Sequence, residues 1–163
     1  MSTSEFWTND DGLNIRFGNE KGKSLNQGKV STAGDVQEVI VSFTYEDLTT
    51  SDAVIGTYPG IAVPAGARIE SASVYVTTPW VGGTSVALGT FVADGSGGFT
   101  VEDANGLMDA TDGATANLVA DAKIDDANAA LVGTSVSADS YVSGKRAGTY
   151  TAGAADLVIK YRK

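Results

Sequence analysis

Alternation of small polar and apolar residues is the feature that most constrains how this chain can fold. Successive side chains of a β-strand point to opposite faces, so a period of two predicts a strand that is buried on one face. The segment SASVYVTT, residues 71–78, has this period, with Ala72, Val74 and Val76 predicted inward and Ser73, Tyr75 and Thr77 outward. Ile69 is out of phase with the inward set, which predicts a bulge near Ser71.

Similar short runs recur along the chain and are separated by Gly, Asn and Asp. VQEVIVSFTY (36–45), TSVALGTFVA (84–93) and AADLVIKYRK (154–163) read as strands, and a shorter one carries Leu13, Ile15 and Phe17. Gly82-Gly83 predicts a hairpin turn. Pro79 cannot donate to a central ladder, so we expect the strand before it to end there or to become an edge. Together these runs predict an all-β protein, an antiparallel β-sandwich of jelly-roll type.

Two segments depart from the strand pattern. Residues 102–130 are rich in Ala and Asp, and they predict a short helical insertion, with candidate helices at 102–110 and 117–122. The stretch from Asn19 to Asp35 has almost no apolar content and predicts a long loop. We therefore expect an extended N-terminal arm and loop over residues 1–35, followed by a single β-sandwich domain over residues 36–163.

The chain of 163 residues contains no Cys and no His. Their absence excludes disulfides, thiolate nucleophiles, the usual zinc ligands and Ser-His nucleophile systems. The Asp-rich turns lack the spacing of a calcium-binding loop, and none of the 20 acidic residues is marked as part of a catalytic pair. We predict that the protein is not an enzyme and has no catalytic residue, metal site or cofactor.

Charge is unevenly distributed. Residues 30–144 carry two basic and 15 acidic side chains, whereas residues 145–163 carry five basic side chains and one acidic side chain. An acidic body argues against nucleic-acid binding, which depends on neutralising phosphates. No apolar run is long enough to span a bilayer and no secretory signal is visible, so we expect no membrane partner and synthesis in a cytoplasm.

Aromatic and basic residues are the candidate contacts with a partner protein. Phe6 and Trp7 lie in a polar N-terminal segment, and Trp80 follows Pro79; each Trp is either a core residue or an interface anchor. Sugar stacking on Trp80 or Tyr75 is a competing interpretation. The predicted partner-binding residues are Phe6, Trp7, Arg16, Lys21, Lys23, Lys29, Trp80, Lys145 and Arg146.

Three stretches of the sequence resemble small virion structural proteins of tailed phages, including phages of marine cyanobacteria. They are FWTNDDGLNIRFG, VPAGARIESASVYVTTPWVGG and TYTAGAADLVIKYRK. The resemblance follows the same order along most of the chain, and residues 102–130 match least. Its motifs are turns and strands rather than a catalytic signature.

The resemblance implies a capsid decoration (cement) protein that binds and stabilises the outer surface of a phage head. The implied partners are the major capsid protein and further copies of the chain, with a trimer favoured. The implied location is the capsid exterior, after synthesis in the host cytoplasm. The alternative is a carbohydrate-binding β-sandwich of a phage fibre or of a polysaccharide-degrading system.

Overall fold

The computed structural model describes the backbone of residues 5–8 and 14–17 and, in full, residues 36–55, 60, 62–125 and 129–163. Contacts between Cα atoms divide the chain into two compact units, Met1–Asp35 and Val36–Lys163. In the first unit, β1 (Glu5–Thr8) pairs antiparallel with β2 (Asn14–Phe17). The predicted strand around Ile15 is thus confirmed as β2.

The described part of the second unit contains eight strands, and four of them follow the predicted runs. The eight strands are β3 (Val36–Thr44), β4 (Ala53–Val54), β5 (Arg68–Gly82), β6 (Ser85–Ala93), β7 (Phe99–Met108), β8 (Lys123–Asp125), β9 (Ser140–Ala147) and β10 (Tyr150–Arg162). They form two four-stranded sheets, with the orders β3-β10-β5-β8 and β4-β9-β6-β7. All pairings between these strands are antiparallel.

This strand order is that of a jelly roll. Successive strands alternate between the two sheets, and the exception is the β6–β7 hairpin, which stays within one sheet. Numbered one to eight from β3, the sheets read 1-8-3-6 and 2-7-4-5, the arrangement of two interlocked Greek keys. The predicted all-β sandwich of jelly-roll type is confirmed.

The core lies between the two sheets and is filled by the inward half of each alternating run. One continuous cluster joins residues of both sheets, among them Val41, Val74, Leu88, Val142 and Ile159. The predicted inward set of β5 is buried, and the alternate residues Leu157, Ile159 and Tyr161 of β10 are buried as well. Burial of these apolar side chains is the main favourable contribution to folding.

β5 tests two predictions, a bulge near Ser71 and an end or an edge at Pro79. Lys160 of β10 pairs with Ser71 and the next residue pairs with Ile69, so a bulge lies at Glu70 as expected. The strand does not end at Pro79 but continues to Gly82. Because β8 pairs only with Ser73–Tyr75, β10 is the partner of β5 among the described strands at Pro79, as the edge alternative required. Pro79 is tolerated because the pairing with β10 is irregular there, which removes the need for an amide donor at that position.

The predicted helical insertion is wrong in the described part of the chain. Residues 102–108 belong to β7, and residues 117–122 form turns and irregular backbone. Hydrogen bonds from the amides of Asn117, Leu118 and Ala122 each reach back three residues, closing single turns that do not continue into a helix. Among the described residues, no helix has the length and apolar character of a membrane span.

Candidate functional site

The outer face of the sheet β3-β10-β5-β8 contains an open groove of about 510 Å³. The same alternation that buries Ala72 and Val74 turns Ser73 and Tyr75 towards this face. Cross-strand neighbours from β3, β8 and β10 supply the rest of the lining. We call this site the Tyr75 groove and define it by its charged and aromatic lining residues, Glu38, Glu70, Tyr75, Lys123, Asp125 and Lys160.

Lys123, Asp125 and Ser73 form a connected polar group at the β5–β8 side of the groove. The Lys123 Nζ lies 2.7 Å from Asp125 Oδ2, and the Ser73 hydroxyl donates to Asp125 Oδ1 at 2.5 Å. The hydrogen bond from Lys123, followed by that from Ser73, holds the pKa of Asp125 below its ordinary value. The hydrogen bond to Asp125 raises the pKa of Lys123. Both groups are therefore charged at neutral pH.

Two further ion pairs cross the same face. Lys160 Nζ lies 3.4 Å from Glu38 Oε2, and Arg162 Nε lies 3.8 Å from Glu70 Oε1. Lys160 and Glu38 are direct cross-strand partners of β10 and β3. Water screens such exposed pairs, so they contribute little to stability. The first pair leaves Lys160 beside a carboxylate, as the pair with Asp125 does for Lys123.

Tyr75 supplies the aromatic surface of the groove and is 41% exposed. The Lys123 Nζ lies 5.7 Å from the centroid of its ring, a cation–π distance. The ring is thus partly exposed and has an ammonium group beside it. An exposed ring is what the sugar-stacking interpretation of Tyr75 requires.

Trp80 is a core residue and not an exposed anchor. Its side chain is 5% exposed and packs between Phe43 and Tyr150, with ring centroids 5.9 and 5.2 Å away. The position of Trp80 directly after Pro79 suggested that it lies at the end of a strand. β5 instead continues to Gly82, so Trp80 lies within the strand. The prediction of Trp80 as a partner-binding or sugar-stacking residue is corrected accordingly.

Lys145 and Arg146 lie side by side on β9, so they face opposite sides of the sheet. Lys145 pairs with Ala87, and its Nζ lies 3.4 Å from Asp52 Oδ2. Arg146 pairs with the core residue Val86, and its Nε is shielded from solvent without a hydrogen-bond partner among the described residues. Both border a pocket of about 420 Å³ at the end of that sheet, where one partner could reach both.

The other predicted contacts fall in the first unit. Phe6 and Trp7 are in β1 and Arg16 is in β2, where the backbone register pairs Phe6 with Arg16 and Trp7 with Ile15. Lys21, Lys23 and Lys29 lie outside the described residues.

Sequence reasoning missed most of the Tyr75 groove and a second aromatic group. Lys123 and Asp125 lie in β8, in the stretch that was predicted to be partly helical. Phe99 is 46% exposed and packs edge-on against Tyr141 at 4.9 Å, with Phe91 beside it. The period of two over residues 85–93 could have indicated Phe91, whereas Tyr141 belongs to β9, a strand distant in sequence.

The described residues contain no group of three or more His, Cys, Asp or Glu side chains placed to hold a metal ion. The carboxylates of the Tyr75 groove are instead engaged by lysine, arginine and serine. The groove is chemically a surface for hydrogen bonding and stacking.

No protein-family model matches the sequence, and no curated protein matches it at a significant level. Two solved structures are similar. A chain of the Ralstonia phage GP4 capsid has a TM-score of 0.55 and 17% identity, over 80% of this chain and 85% of that one. A chain of the cyanophage Pam1 capsid asymmetric unit has a TM-score of 0.47 and 17% identity, over 78% and 84%. This protein therefore shares its fold with a chain of the Ralstonia phage GP4 capsid.

Proposed function

We propose that the chain is a virion structural protein, and specifically a decoration protein that binds the outer surface of a phage head and stabilises it. The observation that supports this proposal is the eight-stranded jelly roll shared with a phage capsid chain. The sequence resemblance to tailed-phage virion proteins points the same way. A role in the shell needs stiff strands and extensive contact surfaces, and it needs no catalytic group.

The proposed partners are the major capsid protein and further copies of the chain, arranged as a trimer. Residues 1–35 form the proposed arm, in which Phe6, Trp7, Arg16, Lys21, Lys23 and Lys29 contact the shell. Lys145 and Arg146 contribute at the pocket that they border. Sedimentation should show a trimer, either free or on the shell, and a monomer in both states would contradict this arrangement.

Addition of the purified chain to shells assembled without it tests the decoration role. A decoration protein co-sediments with preformed shells, saturates them, and raises the temperature at which they come apart, because it binds the assembled state selectively. Shells that assemble only when the chain is present would instead indicate the major shell protein. A chain that neither binds nor forms shells would overturn the proposal.

The second candidate function is that of a carbohydrate-binding module. The observation that favours it is the exposed ring of Tyr75 in a groove that also contains hydroxyl, carboxylate and ammonium groups. Retention on immobilised glycans without any affinity for shells would favour this candidate over the decoration protein.

A further inference from the structure

We propose that the Tyr75 groove binds a neutral, hydroxyl-rich glycan, whether or not the protein is part of a shell. This inference deepens the second candidate function by naming the class of glycan, and it does not rest on the decoration role. It rests on the balance of charge in the groove, on its remaining hydrogen-bonding capacity, and on its single exposed aromatic ring.

The charges of the groove argue against anionic ligands. Its lining contains three carboxylates, of Glu38, Glu70 and Asp125, and two lysines. Each lysine already lies beside a carboxylate, Lys123 at 2.7 Å and Lys160 at 3.4 Å. Arg162 lies beside the third carboxylate, that of Glu70, at 3.8 Å. A phosphate, sulfate or sialic acid would therefore meet no uncompensated cation in the groove, and strong anion binding depends on charge-assisted hydrogen bonds from such cations.

The same charges argue against a purely apolar ligand. Covering ionised side chains with hydrocarbon removes their hydration and gives no hydrogen bond in return. The groove must be occupied by water or by a ligand that replaces the hydrogen bonds of water. Sugar hydroxyls both donate and accept, and they can do so.

The paired groups keep capacity for such hydroxyls. An ammonium has three donors. Lys123 directs one towards Asp125 and another towards Tyr75, so one donor remains. A carboxylate has about four acceptor positions, and Asp125 uses two, one for Lys123 and one for Ser73. The ion pair thus fixes the orientation of both side chains and leaves a donor and acceptors side by side.

Apolar contact is supplied within the same groove. Tyr75 presents an exposed ring, and Val132 and Val158 contribute aliphatic lining. A pyranose has a C–H face that suits an aromatic ring and a hydroxyl rim that suits the surrounding polar groups. The groove volume of about 510 Å³ lies within the roughly 300–1,000 Å³ of small-molecule sites.

Titration of the full chain with neutral oligosaccharides, observed by two-dimensional NMR, tests the proposal. The panel should contain neutral hexose and N-acetylhexosamine oligosaccharides, together with a sulfated counterpart of each. At least one neutral member should shift the signals of Ser73, Tyr75 and Lys123. No shift with any member at millimolar concentration, shifts confined to the other sheet, or preference for the sulfated counterparts would each overturn it.

Three variants sharpen the test. Tyr75→Ala should weaken binding about tenfold or more, equivalent to about 1.4 kcal/mol, whereas Tyr75→Phe should keep most of the affinity because the ring remains. Tyr141→Ala is the matched control, since it removes a tyrosine from the opposite sheet. Equal losses in Tyr75→Ala and Tyr141→Ala, with both spectra still folded, would overturn the assignment to the groove.

Binding to preformed shells separates this proposal from the proposed function. Tyr75→Ala should co-sediment with shells like the unmodified chain. A chain that binds glycans but not shells would overturn the decoration role and leave the groove assignment intact. A chain that binds shells but no member of the neutral panel would overturn the groove assignment and leave the decoration role intact.

Discussion

The side chain of Trp80, in β5, packs against residues of two other strands. Its ring packs against Phe43 of β3 and edge-on against Tyr150 of β10. Gly153 of β10 lies directly beneath the ring, and a Cβ added to it would meet the indole. The large ring and the missing side chain are complementary, so neither can change without a rearrangement of the other.

We expect Trp80→Ala to lower the free energy of unfolding by about 3–5 kcal/mol, because it opens a large cavity in the core. Chemical denaturation followed by circular dichroism measures this loss. Val81→Ala is the control, since Val81 is the next residue and is 53% exposed. A Trp80→Ala variant as stable as Val81→Ala would show that the ring is not part of the core.

Asp125 provides a pH-dependent prediction at the same scale. Its pKa lies below the ordinary value of 3.8, chiefly because of the hydrogen bond from Lys123 and then that from Ser73. The folded state favours the ionised form, so the contact stabilises the protein above pH 3.8 and is lost as the pH falls through the lower folded value.

We expect the carboxyl signal of Asp125 in an NMR pH titration to have its midpoint below 3.8. Lys123→Met should raise that midpoint more than Ser73→Ala does, because Lys123 is the larger cause. Lys163→Met, which removes a terminal lysine, should leave it unchanged. A midpoint at or above the ordinary value in the unmodified chain would contradict the geometry at the β5–β8 edge.

At the scale of elements, the pairing of β6 with β7 is irregular in a way that the local sequence pattern does not predict. Their register shifts between the pair Leu88–Met108 and the pair Thr90–Asp103. The backbone of Asp103 and Ala104 passes close to Gly89, where an added Cβ would meet the carbonyl oxygen of Asp103. A glycine in β6 therefore permits the irregular course of β7.

We expect Gly89→Ala to destabilise the protein by about 1–3 kcal/mol and to speed amide hydrogen exchange in β7, because the backbone in contact with the new methyl group cannot move aside easily. Gly98→Ala is the matched control. There an added Cβ would meet the carboxylate of Asp94, which is the movable end of a side chain. Unchanged exchange in β7 of Gly89→Ala would contradict the close approach.

Strands with a clear period of two were predictable, because one buried face leaves a regular trace in the sequence. β3, β5, β6 and β10 have this trace, and even the bulge at Glu70 is visible as a phase change at Ile69. The helices predicted within residues 102–122 were wrong because that stretch has no regular pattern of apolar residues. Its Ala and Asp residues occur without a period, and composition alone favoured short helices. Residues 102–108 are instead a strand because β7 pairs with β6.

The candidate site was predictable only in its centre. Tyr75 stood out because alternation placed an aromatic residue on the outward face of β5. Its charged neighbours come from β3, β8 and β10, which are adjacent only through the sheet order. No local sequence pattern connects Glu38 with Lys160. The ion pairs of the groove therefore could not be predicted without knowing the order of the strands in the sheet.

At the scale of the whole molecule, charge and apolar contact should have separable effects on binding to a shell. The basic residues are concentrated near the two ends of the sequence, and the 15 acidic residues of the central part outnumber its two basic ones. Repulsion between acidic bodies opposes close packing of copies on a shell. Contacts of the arm's Arg16, Lys21, Lys23 and Lys29 with the shell would offset this repulsion, and their contribution would weaken as salt rises because the Debye length shortens.

We expect charge reversal at Lys21 and Lys23 to change mainly the salt dependence and the association rate of shell binding, since exposed charges steer encounters. Trp7→Ala should instead speed dissociation at every salt concentration and cost on the order of 2 kcal/mol, as loss of an aromatic anchor does. Surface plasmon resonance on immobilised shells measures both rates, and Tyr141→Ala serves as an aromatic control outside the arm. If Trp7→Ala unfolds the protein without affecting the dissociation of the folded fraction, Trp7 is a structural residue of its own unit, and the anchor must be sought elsewhere.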